Sequence, residues 1–248
     1  MNKIIAGNWK NNGNIEFIKN YFDFFLKNKN SNNQIIFFPP DLYISQVHNY
    51  KVEKNFSVGG QRINSDGGST HTSGTTSEMF LDNGCDYILI GHSEIRNLSD
   101  QYTYSAANDL YNSNGLQAIF CIGEDEDSKK SGNTCDVLEK QLEDLCCKDN
   151  YPVISSEKAI IAYEPVWAIG TGNTPTIDNI SHIHKFIKTY VSENHPFAKE
   201  KDIMVIYGGS VNLKNANDIL SAPYVDGVLI GGASLDVKEF TTICNLKI

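Results

Sequence analysis

The chain has 248 residues, of which 40% are hydrophobic, and a formal net charge of −9. That length allows one large domain or two small ones, and it fits a single (β/α)8 barrel of about 250 residues without selecting that fold. The acidic charge argues against nucleic acid as a main partner, because phosphate backbones are bound by basic surfaces. It leaves open a small phosphorylated ligand, which needs only a few backbone N–H groups and one lysine.

The cysteines and the hydropathy pattern indicate where the protein acts. No pair among the six cysteines forms a C-x-x-C, which favours free thiols in a reducing compartment. No stretch approaches the roughly 18 apolar residues that a membrane helix needs, and the first apolar run is too short for a signal peptide. We expect a cytoplasmic protein with no membrane partner, and a plastid or similar organelle is the alternative if a transit peptide was removed.

Short apolar segments along the chain predict β-strands at residues 4–6, 34–38, 56–58, 87–90, 118–122, 159–163, 203–207 and 228–230. Several are apolar throughout, which is typical of parallel sheets buried on both faces. Segments with helical spacing lie between them, beginning with a stripe of Ile15, Ile18, Phe22, Phe25 and Leu26. Strand followed by helix, repeated about eight times without a linker, predicts one parallel α/β domain over residues 1–248.

Polar residues and glycines follow most of these strands directly. They include Asn8 and Lys10 after the first strand, His92 after the fourth, and Glu164 after the sixth. Periodicity alone does not separate a closed barrel from an open doubly wound sheet. Strand ends converge on one face only in a barrel, however, so this placement favours the (β/α)8 barrel.

Glu164 stands between a predicted strand and the segment Pro-Val-Trp-Ala-Ile-Gly-Thr-Gly at 165–172. A carboxylate there is well placed as a general base, and an apolar lid over it would exclude water. The alternative is a turn whose tryptophan only packs on the barrel rim. The predicted lid is Pro165, Val166, Trp167, Ala168, Ile169, Gly170, Thr171, Gly172, Asn173 and Thr174.

His92 lies at the end of a strand and the start of a helix. The helix dipole disfavours imidazolium there, so the neutral ring is available to donate a hydrogen bond to a substrate oxygen; a helix-capping histidine is the alternative. His182 and His184 are two residues apart and point to different sides of a helix, so they do not form a ligand pair. With no cluster at ligand spacing, we expect no metal site.

Asn8 and Lys10 alternate along what we predict to be an extended segment, so both side chains face one side. A positive charge and a neutral donor suit stabilisation of a developing enediolate oxygen, although a solvated lysine is the usual interpretation of such a pair. Two Gly-Gly turns, at 208–209 and 231–232, follow the last two predicted strands. Backbone N–H groups at such turns bind phosphate, and the alternative is two tight turns without a ligand.

Taken together, these strings resemble the triosephosphate isomerase family in order and spacing over residues 8 to 235. They are Asn-Trp-Lys at 8–10, Gly-His-Ser-Glu at 91–94, Cys-Ile-Gly-Glu at 121–124, the lid string at 162–172, Tyr-Gly-Gly-Ser-Val at 207–211 and Gly-Gly-Ala-Ser-Leu at 231–235. The resemblance implies a single TIM barrel that interconverts dihydroxyacetone phosphate and glyceraldehyde 3-phosphate through an enediolate, in glycolysis and gluconeogenesis. It implies no metal and no organic cofactor.

The resemblance also implies a role for each site residue. Glu164 would be the base, His92 the neutral electrophile, Asn8 and Lys10 would contact the substrate, and Glu94 would orient the charges. The phosphate would be held by Gly170, Ser210, Gly231 and Gly232. Another phosphate-binding barrel, such as a sugar-phosphate epimerase or lyase, and a catalytically impaired barrel retained as a binding protein are the alternatives. The lid string and the intact Lys10, His92 and Glu164 favour the isomerase.

The chain departs from the family pattern at a few positions. Asn11 replaces a methionine, Arg62 an asparagine, Ile95 an arginine and Asn173 a lysine, and in the loop at 69–74 only Thr72 keeps the family residue. Asn11, Arg62 and Thr72 map to the family's dimer contact. We therefore expect a homodimer with altered or weaker loop contacts.

Overall fold

Eight parallel strands close into a barrel in a computed structural model that describes residues 2–51, 55–63, 72, 74–96, 106–113, 115–146, 160–195 and 199–248. Each strand pairs with its neighbours in chain order, and β8 pairs with β1. The strands are β1 (Ile4–Asn8), β2 (Gln34–Phe38), β3 (Ser57–Gly60), β4 (Tyr87–Ile90), β5 (Gln117–Ile122), β6 (Ile160–Tyr163), β7 (Met204–Tyr207) and β8 (Gly227–Ile230). This confirms the predicted (β/α)8 barrel.

Helices surround the barrel. They are α1 (Ile15–Asn28), α2 (Ile44–His48), α3 (Ser77–Asp82), α4 (Ser93–Arg96), α5 (Ala106–Asn112), α6 (Glu126–Lys130), α7 (Thr134–Cys146), α8 (Ile177–Asn194), α9 (Ala216–Ser221) and α10 (Val237–Cys244). Short 3-10 helices lie at Asp41–Tyr43, Val166–Ala168, Glu200–Asp202 and Gly232–Leu235. Among the described residues, none of the helices has the length and apolar character needed to cross a membrane.

The core has two layers because successive side chains of a strand point to opposite faces. Inward-pointing residues such as Ala6, Phe38 and Ile206 fill the barrel, and outward-pointing residues pack against the helices. Helix α1 shows how a helix is fixed: Asn14 caps it by accepting from the Phe17 N–H, and its buried face packs onto the barrel. Ile15, which we predicted in this apolar stripe, instead leaves 69% of its surface exposed.

Two strands extend beyond their predicted carboxyl ends. β1 continues through Asn8, so that residue belongs to the strand and does not follow it. β3 runs through Gly59 and Gly60, beyond the predicted end, because these glycines pair with β4 where the rings of Phe38 and Phe80 fill the space of a side chain. A glycine pair usually indicates a turn, which is why the sequence pattern ended this strand early.

Candidate active site

A cavity of about 320 Å³ opens at the carboxyl ends of the strands, where a (β/α)8 barrel builds its active site. It brings together residues from the ends of β1, β4, β6, β7 and β8. They are Asn8, Lys10, His92, Glu164, Ile169, Gly170, Gly172, Gly208, Gly209, Ser210, Val211, Asn212, Leu229, Gly231, Gly232 and Ala233. Glu94 does not line this cavity, but it contacts two residues that do, Lys10 and His92.

Glu164 follows β6 directly and is buried. One carboxylate oxygen, Oε1, lies 3.4 Å from Nε2 of His92, and the other accepts the backbone N–H of Ser93 at 3.3 Å. Burial raises the pKa of this carboxyl, and the nearby His92 and the Ser93 N–H only partly offset that effect. A raised pKa makes the carboxylate a stronger base than an exposed glutamate.

Replacing Glu164 with glutamine is expected to stabilise the folded protein at neutral pH. The folded-state pKa lies above the unfolded one, so the ionised carboxylate is disfavoured in the fold above both values. That penalty disappears as pH falls below the unfolded pKa of about 4.3. Thermal unfolding of both proteins between pH 4 and pH 8 should show a gain in Tm for Glu164→Gln that shrinks toward acid. A gain that is constant with pH would contradict this account.

The hydrogen bonds of His92 identify its neutral tautomer. The backbone N–H of Glu94 donates to Nδ1 of His92 at 3.2 Å. A nitrogen that accepts a hydrogen bond carries no proton, so the single ring proton lies on Nε2. Nε2 is the nitrogen that points toward Glu164. The ring can therefore donate a hydrogen bond to a ligand oxygen in the cavity.

Lys10 adopts an unusual backbone conformation with a φ of +50°. Our prediction of an extended segment was therefore wrong, because a turn immediately after β1 places Lys10 in the left-handed region. Two side chains support this turn: Asn8 Oδ1 accepts the Lys10 N–H at 2.9 Å, and Gln61 Nε2 donates to the Lys10 carbonyl at 2.8 Å. Lys10 and Asn8 nevertheless line the same cavity.

The ammonium of Lys10 is paired with Glu94, whose Oε1 lies 2.5 Å from Lys10 Nζ. Burial by itself would raise the pKa of the Glu94 carboxyl, but the hydrogen bond and charge of Lys10 lower it below its usual value. Glu94 is therefore an anion that orients the lysine, while the neutral His92 lies beside both. The cavity thus presents one positive charge and one neutral donor.

The two glycine turns face the cavity from the ends of β7 and β8. Ser210 follows the first turn and donates its hydroxyl to the carbonyl of Ala168 at 2.6 Å, which links this turn to the predicted lid. Gly232 begins a 3-10 helix, and a side chain at Gly232 would meet open space. A side chain at Gly208 would instead stand 2.7 Å from Cγ of Glu164.

These two glycines give a matched pair of variants. Gly208→Ala is expected to displace the Glu164 carboxylate and to lower kcat by about 100-fold, the cost of misplacing a reacting group by about 1 Å. Gly232→Ala does not displace that carboxylate, but its methyl group would occupy space where the phosphate is predicted to bind, so it should mainly raise KM. Steady-state kinetics of both variants test this separation. Equal effects on kcat and KM in the two variants would contradict it.

The predicted lid divides into a packed first part and an exposed second part. Pro165 and Ala168 are buried, Val166 and Trp167 are partly buried, and residues 170–174 are exposed. Nothing lies within 4 Å of where a side chain would stand on Gly170 or Gly172. Both glycines have positive φ, so they supply conformational freedom to the second part of the lid.

Two supporting residues were not assigned a role from the sequence. Gln61 has one side-chain amide that donates to the carbonyls of both Lys10 and Phe38. Glu124 is buried and accepts hydrogen bonds from the Trp167 indole at 2.8 Å and the Tyr163 hydroxyl at 3.2 Å. The Cys-Ile-Gly-Glu string indicated Glu124, but only the fold shows that its partner is the lid.

The predicted dimer-contact residues lie away from this cavity. Asn11 and Arg62 are exposed in the segments that follow β1 and β3, and Thr72 is exposed as well. Most of the loop around Thr72, including residues 69–71 and 73, lies outside the described residues.

Comparison with known proteins agrees with this geometry. A family model described as triosephosphate isomerase matches residues 3–247. The chain is 40% identical over 250 residues to a triosephosphate isomerase of Francisella tularensis subsp. holarctica strain LVS, covering 99% of this chain and 97% of the relative. It is also 35% identical to the enzyme of that name from Shewanella frigidimarina, covering 98% of this chain and 96% of the relative.

Proposed function

The chain belongs to the triosephosphate isomerase family, and from this premise we propose that Glu164 moves a proton between the two carbons of a triose phosphate. The reaction interconverts dihydroxyacetone phosphate and D-glyceraldehyde 3-phosphate. The observation that carries the proposal is the convergence on one cavity of a buried carboxylate of raised pKa, a neutral imidazole and a lysine ammonium.

Each group has one step in the proposed mechanism. Glu164 removes a proton from the hydroxymethyl carbon of dihydroxyacetone phosphate, and the electron pair moves onto the carbonyl oxygen. His92, through Nε2–H, and Lys10, through its ammonium, donate hydrogen bonds to that oxygen as it becomes an enediolate. One proton then passes between the two oxygens beside His92, and Glu164 returns its proton to the neighbouring carbon. The product is the aldehyde, and Glu164 is ionised again.

The phosphate would bind at the two glycine turns. Ser210, Gly231 and Gly232 line the cavity, so their backbone N–H groups would bind the anion, and Gly170 would join them when the lid closes. Closure would remove water from around the enediolate, which strengthens the hydrogen bonds to it and limits side reactions with solvent. Asn8 would complete the substrate contacts from β1.

A coupled assay tests this function. Dihydroxyacetone phosphate is supplied to the purified protein, and the glyceraldehyde 3-phosphate formed is oxidised by a dehydrogenase that reduces NAD. We expect a steady increase in absorbance of the reduced cofactor that depends on the protein. Folded protein that gives no product would overturn the proposal, and conversion of a pentose phosphate instead would favour a sugar-phosphate epimerase.

We also propose a homodimer formed by the segments between β1 and β4. Ile15, Leu42 and Met79 leave 69%, 82% and 53% of their surface exposed there, and Asn11 and Arg62 in the same segments are exposed as well. Large apolar side chains left exposed in consecutive segments of a chain favour a protein interface there. The altered residues at this surface would weaken the contact relative to other family members.

Leu42→Glu is expected to convert the dimer into monomers, because it places a charge in the apolar contact. Leu213→Glu is the control, since Leu213 is an exposed leucine in the segment after β7. Sedimentation velocity between about 0.1 and 10 μM should show a wild-type dimer that dissociates on dilution, and the control should behave like wild type. A wild-type dimer that resists dilution would contradict the weakening.

We place the protein in the cytoplasm. All five cysteines among the described residues are unpaired, which supports a reducing compartment.

A further inference from the structure

The indole of Trp167 contacts two charged residues at once. Its Nε1–H donates to the buried carboxylate of Glu124 at 2.8 Å, and Nζ of Lys129 lies 3.0 Å from the centre of its ring. The carboxylate holds the edge of the indole, and the ammonium covers its face. An ammonium over an indole face is attracted by the negative face of the aromatic ring.

Both contacts come from one short stretch of chain. Glu124 also accepts the Val166 N–H at its backbone carbonyl, at 3.0 Å. Asp125 then caps helix α6 by accepting the Ser128 N–H at 2.8 Å, and Lys129 lies in the last turn of that helix. The position of Lys129 is thus fixed relative to Glu124. The two residues together form the surface against which Trp167, in the first part of the lid, packs.

The neighbouring lysine has a different contact. Lys130 pairs with Glu126 on the exposed face of α6, with Nζ 2.8 Å from Oε1. Lys129 and Lys130 carry the same charge, belong to the same helix and are both exposed. Of the two, Lys129 is the one that lies over the Trp167 ring. Lys130 is therefore a matched control for any effect of charge or helix stability.

We propose that Lys129 is a positioning residue that acts through Trp167 and sets how readily the lid closes. In the structure its ammonium holds the indole against Glu124, so removing the charge favours departure of Trp167 from this position. The consequence for catalysis rests on the proposed isomerase function. A cation–π contact at an exposed site corresponds to about a two- to fivefold change in the open-to-closed equilibrium.

Fluorine NMR tests the contact without turnover. The chain has two tryptophans, and Trp9 is fully buried in the core, so protein labelled with 5-fluorotryptophan carries its own reference signal. We expect Lys129→Met to shift the Trp167 resonance of the ligand-free protein and to leave that of Trp9 unchanged. Lys129→Arg should keep the wild-type resonance because it keeps the charge over the ring. An unshifted Trp167 signal in Lys129→Met, or the same shift in Lys130→Met, would overturn the proposal.

A titration with inorganic phosphate tests the equilibrium itself. If phosphate binds the closed lid, its apparent affinity increases in proportion to the closed fraction. Lys129→Met should therefore change the apparent affinity for phosphate by about two- to fivefold, and Lys130→Met should match wild type. Unchanged phosphate binding in Lys129→Met would overturn the proposal. A wild-type protein that fails the coupled assay would overturn the proposed isomerase function. The fluorine experiment would still test the contact between Lys129 and Trp167, because it does not depend on turnover.

Discussion

Glu164→Gln is expected to lower kcat by about 10²- to 10⁴-fold, the usual contribution of a general base, with little change in KM. Glutamine keeps the shape of the side chain and the contact with the Ser93 N–H, but it cannot accept a proton from carbon. Burial raises the pKa of the Glu164 carboxyl, so the carboxylate that glutamine replaces is a stronger base than a free glutamate. The coupled assay in both reaction directions measures the loss.

Glu164→Asp is the graded control for the same position. It keeps the charge and moves the carboxylate back by roughly one carbon–carbon bond, so kcat should fall by on the order of 100-fold. The order of activity should be wild type, aspartate, glutamine. A glutamine variant that keeps wild-type kcat would show that another group removes the proton.

Lys10→Met is expected to lower kcat/KM by about 10²- to 10³-fold, the cost of losing one preorganised donor to a developing oxyanion. Methionine preserves the length and the apolar part of the side chain. It also leaves Glu94, the 2.5 Å partner of the ammonium, without its counter-ion, so the site, which also holds the Glu164 carboxylate, becomes more negative. Binding of an anionic phosphate should therefore weaken as well, and both kcat and KM should be affected.

Lys51→Met is the control for this change. Lys51 is paired with Asp86 at 2.7 Å, so this variant also removes a lysine from an ion pair, but Asp86 precedes β4 and lies at the opposite end of the barrel from the cavity. Activity of Lys51→Met should stay within about twofold of wild type, as expected for a surface ion pair. A comparable loss in both variants would mean that Lys10 acts through stability alone.

Much of the fold could be predicted because parallel strands buried on both faces leave a clear apolar pattern. β2 and β4 begin and end where that pattern does. β3 was placed too early because its last two residues are glycines, and only the rings of Phe38 and Phe80 explain why glycine is required there. Such three-dimensional crowding has no local signal in the chain.

The candidate site was predicted from residue types at strand ends, and the barrel does bring those residues to one cavity. The prediction of an extended backbone at Lys10 was wrong, because the left-handed turn there is supported by Gln61, a residue 51 positions away. Ile15 was assigned to the apolar stripe of α1 but is exposed, because periodicity cannot distinguish an apolar residue that packs inside the chain from one left at the surface. The contacts of Trp167 with Glu124 and Lys129 also had no signal in the sequence, because they join residues about 40 positions apart.

The most direct test of proton transfer by Glu164 is isomerisation in D₂O. Dihydroxyacetone phosphate is converted by the wild-type protein, the aldehyde is trapped at once by a dehydrogenase, and the product is analysed by proton NMR. We predict deuterium at the carbon next to the aldehyde carbon, because the carboxyl group exchanges its proton with solvent before returning it. Product that carries no deuterium there is the result expected of a hydride shift between the two carbons, and it would contradict the exchange of the proton at Glu164 that we predict.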